Sequence, residues 1–201
     1  MVTAVIPISI KHRNIAMLAI ESIEQQVDYV IAGVDMERKG QAWMLNDLIS
    51  RVGTEWTLFL DADDLALANR VAVCRPYLEH SDLIYTDYVH SKGIYKSAPM
   101  DLERFHDVNF LPFPTVMVKT RIAKEIPFES CYLGSHDWIW LHKVYDKYPR
   151  FTHVPVPTIF YNTGTSTYNS KIPVYRKLRR LYVKSINKRK LKEFYKETHG
   201  Y

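Results

Sequence analysis

The stretch GTEWTLFLDADD, at residues 53–64, decides the predicted fold of this chain. Its apolar part, EWTLFL at residues 55–60, is typical of a strand that is buried on both faces. The strand runs directly into three aspartates, Asp61, Asp63 and Asp64. A buried strand that ends in a carboxylate cluster predicts a polar site at the carboxyl end of a sheet.

Strands and helices alternate on both sides of this stretch. Apolar, β-branched segments predict strands at residues 2–10, 28–34 and 83–88, the first of them broken by Pro7. Helical spacing of apolar residues predicts helices at residues 15–23 and 41–52, and a further helix begins near Leu65. This alternation predicts an α/β fold with a mostly parallel sheet flanked by helices. Residues 7–10, Asp35 and the aspartate cluster would then meet at one edge.

Charge divides the chain into two parts. The 201 residues carry 27 Lys and Arg against 22 Asp and Glu, but residues 1–170 have a net charge of −4 and residues 171–201 one of +9. We therefore predict a globular domain over residues 1–170 and a basic helical tail over residues 171–201. The tail can pack on the domain, lie on an anionic membrane or bind nucleic acid, and we favour nucleic acid over membrane.

Composition excludes several protein classes. A chain with 47% hydrophobic and 24% charged residues is neither disordered nor collagenous. No apolar run approaches the roughly 18 residues of a membrane-spanning helix, and the first residues do not resemble a signal peptide. Cys74 and Cys131 lack metal-ligand spacing, which predicts free thiols in a reducing compartment. We expect a cytoplasmic protein, with peripheral membrane contact as the alternative.

The aspartate cluster admits two interpretations. Asp63 or Asp64 could cap a helix that begins near Leu65. However, three carboxylates within four residues repel one another unless a cation neutralises them, and Mg²⁺ and Mn²⁺ prefer such oxygen ligands. The cluster therefore predicts a divalent cation that bridges the phosphates of a nucleotide.

The same stretch resembles the strand and aspartate motif of the inverting family 2 glycosyltransferases, which have the nucleotide-diphospho-sugar (GT-A) fold. Further segments resemble that family in the same order along the chain, and together they cover about residues 2–168. They are VIP at residues 5–7, SIEQQ at 22–26, Asn46, LIYTDY at 83–88, GSHDWIWL at 134–141 and VPVPTIFY at 154–161.

The resemblance implies transfer of a sugar, a hexose or a pentose, from a nucleotide-sugar donor, most simply a UDP-sugar, with Mn²⁺ or Mg²⁺ as cofactor. Asp35 would accept a hydrogen bond from the base, and Asp61 would contact the ribose or the metal. Asp63 would ligate the metal. The remaining nucleotide-binding residues implied by the resemblance are Pro7, Ile8, Ser9 and Asn46.

On the acceptor side, the resemblance implies that Asp137 is the catalytic base, although it could also simply cap a helix over residues 138–144. The neighbouring Trp138 and Trp140 would stack on a sugar or a base. The chain departs from the family after Tyr161, where the usual Arg and His are missing. Water, phosphate or a hydroxyl such as that of Thr165 or Ser166 could complete the metal shell instead.

The acceptor and two rival functions stay open. The short chain resembles phage glycosyltransferases, some of which modify hydroxymethylated bases in DNA, and a saccharide or a lipid-linked glycan is the other acceptor class. In a phage enzyme the compartment would be the host cytoplasm. A nucleotidyltransferase of the same fold is the first rival, although no Gly-rich, basic phosphate loop lies near residue 1. A catalytically silent module that binds nucleic acid is the second.

Overall fold

One sheet of eight strands organises the part of the chain that the computed structural model describes, residues 1–130 and 136–162. The strands are β1 (Val2–Ser9), β2 (Tyr29–Asp35), β3 (Trp56–Phe59), β4 (Leu65–Ala66), β5 (Leu83–His90), β6 (Gly93–Tyr95), β7 (Met117–Lys119) and β8 (Phe151–Phe160). Their order is β2-β1-β3-β7-β5-β8-β4, with β6 paired to β5. Strands β1, β2, β3, β5 and β8 share one direction and the other three oppose it, which confirms the α/β class.

In the described part of the chain, five helices cover the two faces of this sheet: α1 (Ala16–Ile23), α2 (Gln41–Ser50), α3 (Leu102–Asp107), α4 (Thr120–Glu125) and α5 (His136–Lys147). Side chains of a strand alternate between faces. Ala4 and Ile6 of β1 accordingly pack in a buried cluster with α1, and Val5 packs in the opposite cluster with α2 and α5. Among the described helices, none combines the length and apolarity needed to cross a bilayer.

Two local predictions were wrong. Pro7 does not break β1. The carbonyls of Met1 and Val5 point toward β3, so the N–H that Pro7 lacks would point to the same side. Because Pro7 lies beyond the last residues of β1 that pair with β3, the missing N–H does not interrupt that pairing. No helix begins at Leu65 either. Leu65 and Ala66 instead form β4. Their backbone groups pair with β8 and are therefore not used for the hydrogen bonds of a helix.

The described residues stop short of several predicted features. The basic tail over residues 171–201 lies outside them, as do Cys131 and the hydroxyls of Thr165 and Ser166. Cys74 lies inside them and is a buried free thiol, as the sequence predicted for it.

Candidate functional site

A cleft of about 900 Å³ opens at the carboxyl ends of β1, β2 and β3. Strand β1 contributes Pro7, Ile8 and Ser9, β2 contributes Asp35, and the turn after β3 contributes residues 61–64. Helix α5 adds Asp137 from a distant part of the sequence. Of the residues predicted to bind the nucleotide or the metal or to act as the base, all but Asn46 line this cleft.

Asp35 organises the loop between β2 and α2. Its Oδ1 accepts from the backbone N–H of Lys39 at 2.8 Å, and its Oδ2 accepts from Gly40 at 2.7 Å. Gly40 has φ of 95°, a left-handed conformation that glycine adopts without strain. Each carboxylate oxygen keeps a further lone pair, so Asp35 is held in place and can still accept from a ligand.

Ser9 lies directly across from Asp35 in the parallel pairing of β1 with β2. Its hydroxyl oxygen is buried, lines the cleft wall and has no hydrogen-bond partner among the described residues. A buried hydroxyl without a partner loses free energy relative to one that is hydrogen-bonded. A ligand that contacts Asp35 would be well placed to satisfy Ser9 as well.

The aspartate turn is electrostatically crowded. Burial, followed by the charges of Asp63 and Asp137, raises the pKa of Asp61 to about 7, although Gln41 donates a hydrogen bond to its Oδ1 at 3.1 Å. Burial and the charge of Asp61 raise the pKa of Asp64 to about 9. Both shifts mean that the cleft disfavours additional negative charge unless a cation enters.

Asp64 serves the fold as well as the cleft. Its Oδ1 accepts from the backbone N–H of Asn162 at 2.8 Å, which joins the turn after β3 to the end of β8. Its Oδ2 is buried without a hydrogen-bond partner in the described ranges. The sequence analysis offered a helix cap as the alternative role of Asp64. In the structure, Asp64 instead contacts Asn162, which lies 98 positions further along the chain.

Asp137 is the second residue of α5 and lies half-buried at the cleft. Its charge acts on the pKa of Asp61, and it also raises the pKa of Tyr161 together with the aspartates of the turn. Asp137 and the turn therefore lie close to one another within the same cleft. A ligand that reaches the turn would come near a carboxylate carried by a separate helix.

The described lining of the cleft is acidic. Within residues 1–130 and 136–162, six carboxylates line it, from Asp35, Asp61, Asp63, Asp64, Asp107 and Asp137. No Lys or Arg belongs to the described lining, which contains the imidazoles of His12 and His136 instead. These carboxylates would repel a ligand that carries phosphate, and a bound cation would offset that repulsion.

The aspartate turn fits a divalent cation on these grounds. A doubly charged ion would take the place of the protons that burial and crowding otherwise retain on Asp61. No group of three or more His, Cys, Asp or Glu within residues 1–130 and 136–162 is arranged to hold a metal alone. An ion at Asp61 and Asp63 would therefore complete its shell with water and ligand oxygens, which is typical of Mg²⁺.

An aromatic wall of the cleft was missed by the sequence analysis. Tyr88 of β5 stacks on Tyr95 of β6 with ring centroids 4.7 Å apart, and it meets Tyr161 at 5.3 Å. Burial and the nearby charges of Tyr95 and Asp64 raise the pKa of Tyr88 to about 12. In the sequence, the only sign of this wall was the short apolar segment GIY at residues 93–95. It predicts a contact with Tyr88 only once the pairing of Tyr95 with Tyr88 is known.

Asn46 does not line the cleft. Its side-chain amide donates to the carbonyl of Phe128 at 2.9 Å and accepts from the Phe128 N–H at 2.8 Å. Both polar ends are thus used to join α2 to the segment after α4. The structure gives Asn46 a structural contact in place of the predicted contact with a nucleotide.

The two tryptophans beside Asp137 belong mainly to the core. Trp140 is 1% exposed, stacks on Phe128 at 4.5 Å and donates to the carbonyl of Ile126. Trp138 is 3% exposed and donates to Phe105, although it reaches the cleft lining. The prediction that Trp140 stacks on a sugar or a base is therefore wrong, because the periodicity of α5 places the Trp140 side chain in the core.

Comparison with known proteins identifies the fold through solved structures and not through the sequence. No protein-family model and no curated protein matches the sequence. TarS 1-349 from S. aureus, in complex with UDP-GlcNAc, is similar in structure with a TM-score of 0.68 and 13% identity. The match covers 85% of this chain and 61% of that one, so this chain spans about three fifths of the TarS fragment.

Glucosyl-3-phosphoglycerate synthase from Mycobacterium tuberculosis, in complex with Mn²⁺, UDP and glucosyl-3-phosphoglycerate, is a second structural neighbour. Its TM-score is 0.57 at 14% identity, covering 79% of this chain and 71% of that chain. The same enzyme is also known with Mg²⁺ and UDP. At such identities the likeness establishes the fold, and the chain has the GT-A fold that the sequence predicted.

Proposed function

We propose that this chain is a metal-dependent, inverting glycosyltransferase of family 2 type that transfers a hexose or pentose from a UDP-sugar to an acceptor hydroxyl. The observation that carries the proposal is the acidic cleft, in which Asp137 of α5 lies close to the aspartate turn after β3. Both structural neighbours described above are complexes with UDP or UDP-GlcNAc, which supports the same donor class.

The donor would lie along the carboxyl ends of the strands. Asp35 would accept the N3–H of uracil, because its carboxylate is fixed by two backbone N–H groups and retains free lone pairs. Ser9 would gain a partner for its buried hydroxyl, and Pro7 and Ile8 would form the apolar wall beside the base. Asp61 and Asp63 would hold Mn²⁺ or Mg²⁺. That ion, when bound, supplies positive charge to the leaving diphosphate.

Asp137 would act as the general base. Inversion requires a carboxylate on the side of the anomeric carbon opposite the leaving group, where it removes the proton of the acceptor hydroxyl. Asp137 belongs to a helix separate from the turn that would hold the cation, so its carboxylate would stay available as a base while Asp61 and Asp63 hold the ion. The α5 backbone, which begins at His136, sets the position of this carboxylate.

The tyrosine wall offers an acceptor surface beside the aspartates. Tyr88, Tyr95 and Tyr161 present rings on which a saccharide or a nucleobase can stack. We propose a modified base in DNA as the acceptor, with a saccharide or lipid-linked glycan as the alternative, in a cytoplasmic enzyme. The net charge of +9 at residues 171–201 supports an anionic partner.

Replacing four basic residues of the tail by glutamine should weaken binding of the full-length chain to duplex DNA and flatten its salt dependence. Each lost phosphate contact lowers the slope of log K against log salt by about 0.9. The substituted residues would be Arg176, Lys177, Arg179 and Arg180. Binding would be followed by fluorescence anisotropy between 50 and 200 mM salt, in parallel with sedimentation on anionic vesicles.

A matched control replaces four exposed basic residues of the domain, namely Lys11, Arg13, Lys92 and Lys124. The control should retain more DNA affinity than the tail variant although the change in net charge is the same. Equal losses in both variants would contradict a specific role of the tail. Binding to vesicles and none to DNA would instead favour the lipid-linked acceptor.

UDP together with Mn²⁺ should raise the melting temperature of the chain. A ligand at 100 times its dissociation constant stabilises the folded state by about 2.7 kcal/mol. We expect UDP alone in EDTA to give a much smaller shift, because the cleft has six carboxylates and no Lys or Arg in its described lining. Differential scanning fluorimetry with UDP, GDP and dTDP and their sugars measures both the base and the metal requirement.

Product analysis separates the rivals. A glycosyltransferase releases nucleoside diphosphate from the donor, whereas a nucleotidyltransferase forms or consumes pyrophosphate. Release of UDP that disappears with Asp63→Ala supports the proposal. Binding of DNA without any UDP-dependent stabilisation or turnover would instead identify a catalytically silent module.

A further inference from the structure

We propose that His12 donates a hydrogen bond to the diphosphate of the donor, beside the cation site at Asp63. The inference rests on the proposed function and adds to it a residue that the sequence analysis did not select. His12 ends the short 3-10 turn Ile10–His12, which follows β1 directly and carries the chain past the cleft. Its imidazole belongs to the lining of the cleft.

The geometry places His12 next to the aspartate turn. Its Nδ1 lies 3.9 Å from Oδ1 of Asp63, and each of the two side chains is 13% exposed. This distance is longer than a hydrogen bond but short enough for one further atom to touch both groups. A phosphate oxygen that shares a cation with Asp63 would therefore come within reach of the imidazole.

The charges of the cleft explain why such a donor is needed. A diphosphate carries two or three negative charges, and the described lining offers it six carboxylates and neither Lys nor Arg. An imidazole carries at least one N–H in either protonation state, so it can donate without a change of charge. The second imidazole of the lining, His136, is 8% exposed and belongs to α5, beside the proposed base.

Cation chemistry favours phosphate over metal as the target of His12. Mg²⁺ and Mn²⁺ prefer carboxylate, carbonyl and water oxygens, whereas imidazole is a better ligand for zinc, copper, iron and nickel. The oxygens of Asp61 and Asp63, with those of the diphosphate, suit the first group of ions. His12 would then contact the phosphate and leave the ion to the carboxylates.

The test compares the affinities of UDP and uridine for the full-length chain by isothermal titration calorimetry, in Mn²⁺ and separately in Mg²⁺. His12→Ala should weaken UDP by about ten-fold to 100-fold, which is the effect of losing a hydrogen bond to a charged group. The affinity of uridine should change less than about two-fold, because the base pocket is untouched. His12→Asn keeps an N–H close to the position of Nδ1 and should recover most of the loss.

Arg13→Ala is the matched control, since Arg13 is the exposed neighbour of His12 and does not line the cleft. It removes a full charge and should leave UDP affinity within about two-fold of wild type. Thermal unfolding of each variant verifies that it folds.

Unchanged UDP affinity in His12→Ala would overturn the inference, as would equal losses for UDP and uridine. A loss confined to Mn²⁺ would also overturn it and identify His12 as a metal ligand. If the wild-type chain binds UDP and His12→Ala binds it equally well, only this inference fails. If the wild-type chain fails to bind UDP both in Mn²⁺ and in Mg²⁺, the proposed function fails together with this inference.

Discussion

Asp137→Asn should lower turnover by at least about 100-fold while the affinity for UDP changes little. Asparagine keeps the size of the side chain and can still accept a hydrogen bond from the first turn of α5, but it cannot remove a proton from an acceptor. The measurement is kcat for sugar transfer, or for donor hydrolysis until the acceptor is known, together with UDP affinity in Mn²⁺.

Asp107→Asn provides a matched control for this loss. Asp107 ends α3 and also lines the cleft, so the substitution removes an equal charge from the same cavity. We expect its turnover to stay within about three-fold of wild type, because it is exposed and does not contribute to the pKa shift of Asp61. Full turnover in Asp137→Asn would remove Asp137 as the base and direct attention to another carboxylate of the cleft.

The sequence predicted best those features whose cause is local. Strands β1, β2 and β3 and helices α1 and α2 begin and end within about two residues of their predicted bounds, because burial imposes a regular pattern on each of them. The meeting of Pro7, Asp35 and Asp61 in one cleft then follows from the parallel direction of these three strands.

Features that depend on contacts between distant segments could not be predicted. Strand β7 has three residues, which are too few to show a hydrophobic pattern in the sequence. Its antiparallel position between β3 and β5 is visible only from the strand pairing in the structure. The contact of Asn46 with Phe128 spans 82 positions, so a side chain that resembles a nucleotide ligand is used for packing. Likewise, only the tertiary path of the turn after β1 brings His12 to Asp63.

The aspartate turn shows how a local motif gains its meaning from the fold. Asp61, Asp63 and Asp64 are adjacent in sequence, but their environments differ in the structure. Asp64 is 1% exposed and tied to Asn162, whereas Asp61 lies beside Asp63 and Asp137 and accepts from Gln41. Sequence alone could predict a cation for the cluster, and the structure distinguishes Asp64, which joins the turn to the end of β8, from Asp61 and Asp63, to which our proposal gives the ion.

Asp63→Ala should abolish the Mn²⁺-dependent part of UDP binding and leave the fold intact. The charge of Asp63 is the largest electrostatic contribution, after burial, to the raised pKa of Asp61. Its removal lowers that pKa and relieves repulsion in the turn, so the free energy of unfolding without metal should be unchanged or higher.

A substitution that preserves stability while it removes ligand binding separates a functional carboxylate from a structural one. The measurements are UDP affinity in Mn²⁺ and in EDTA, and thermal unfolding without ligand. Asp107→Asn again serves as the control, because it removes a charge from the same cleft away from the turn. Unchanged metal dependence in Asp63→Ala would mean that the cation is held elsewhere, whereas a large drop in melting temperature would mean that Asp63 stabilises the turn through contacts other than repulsive ones.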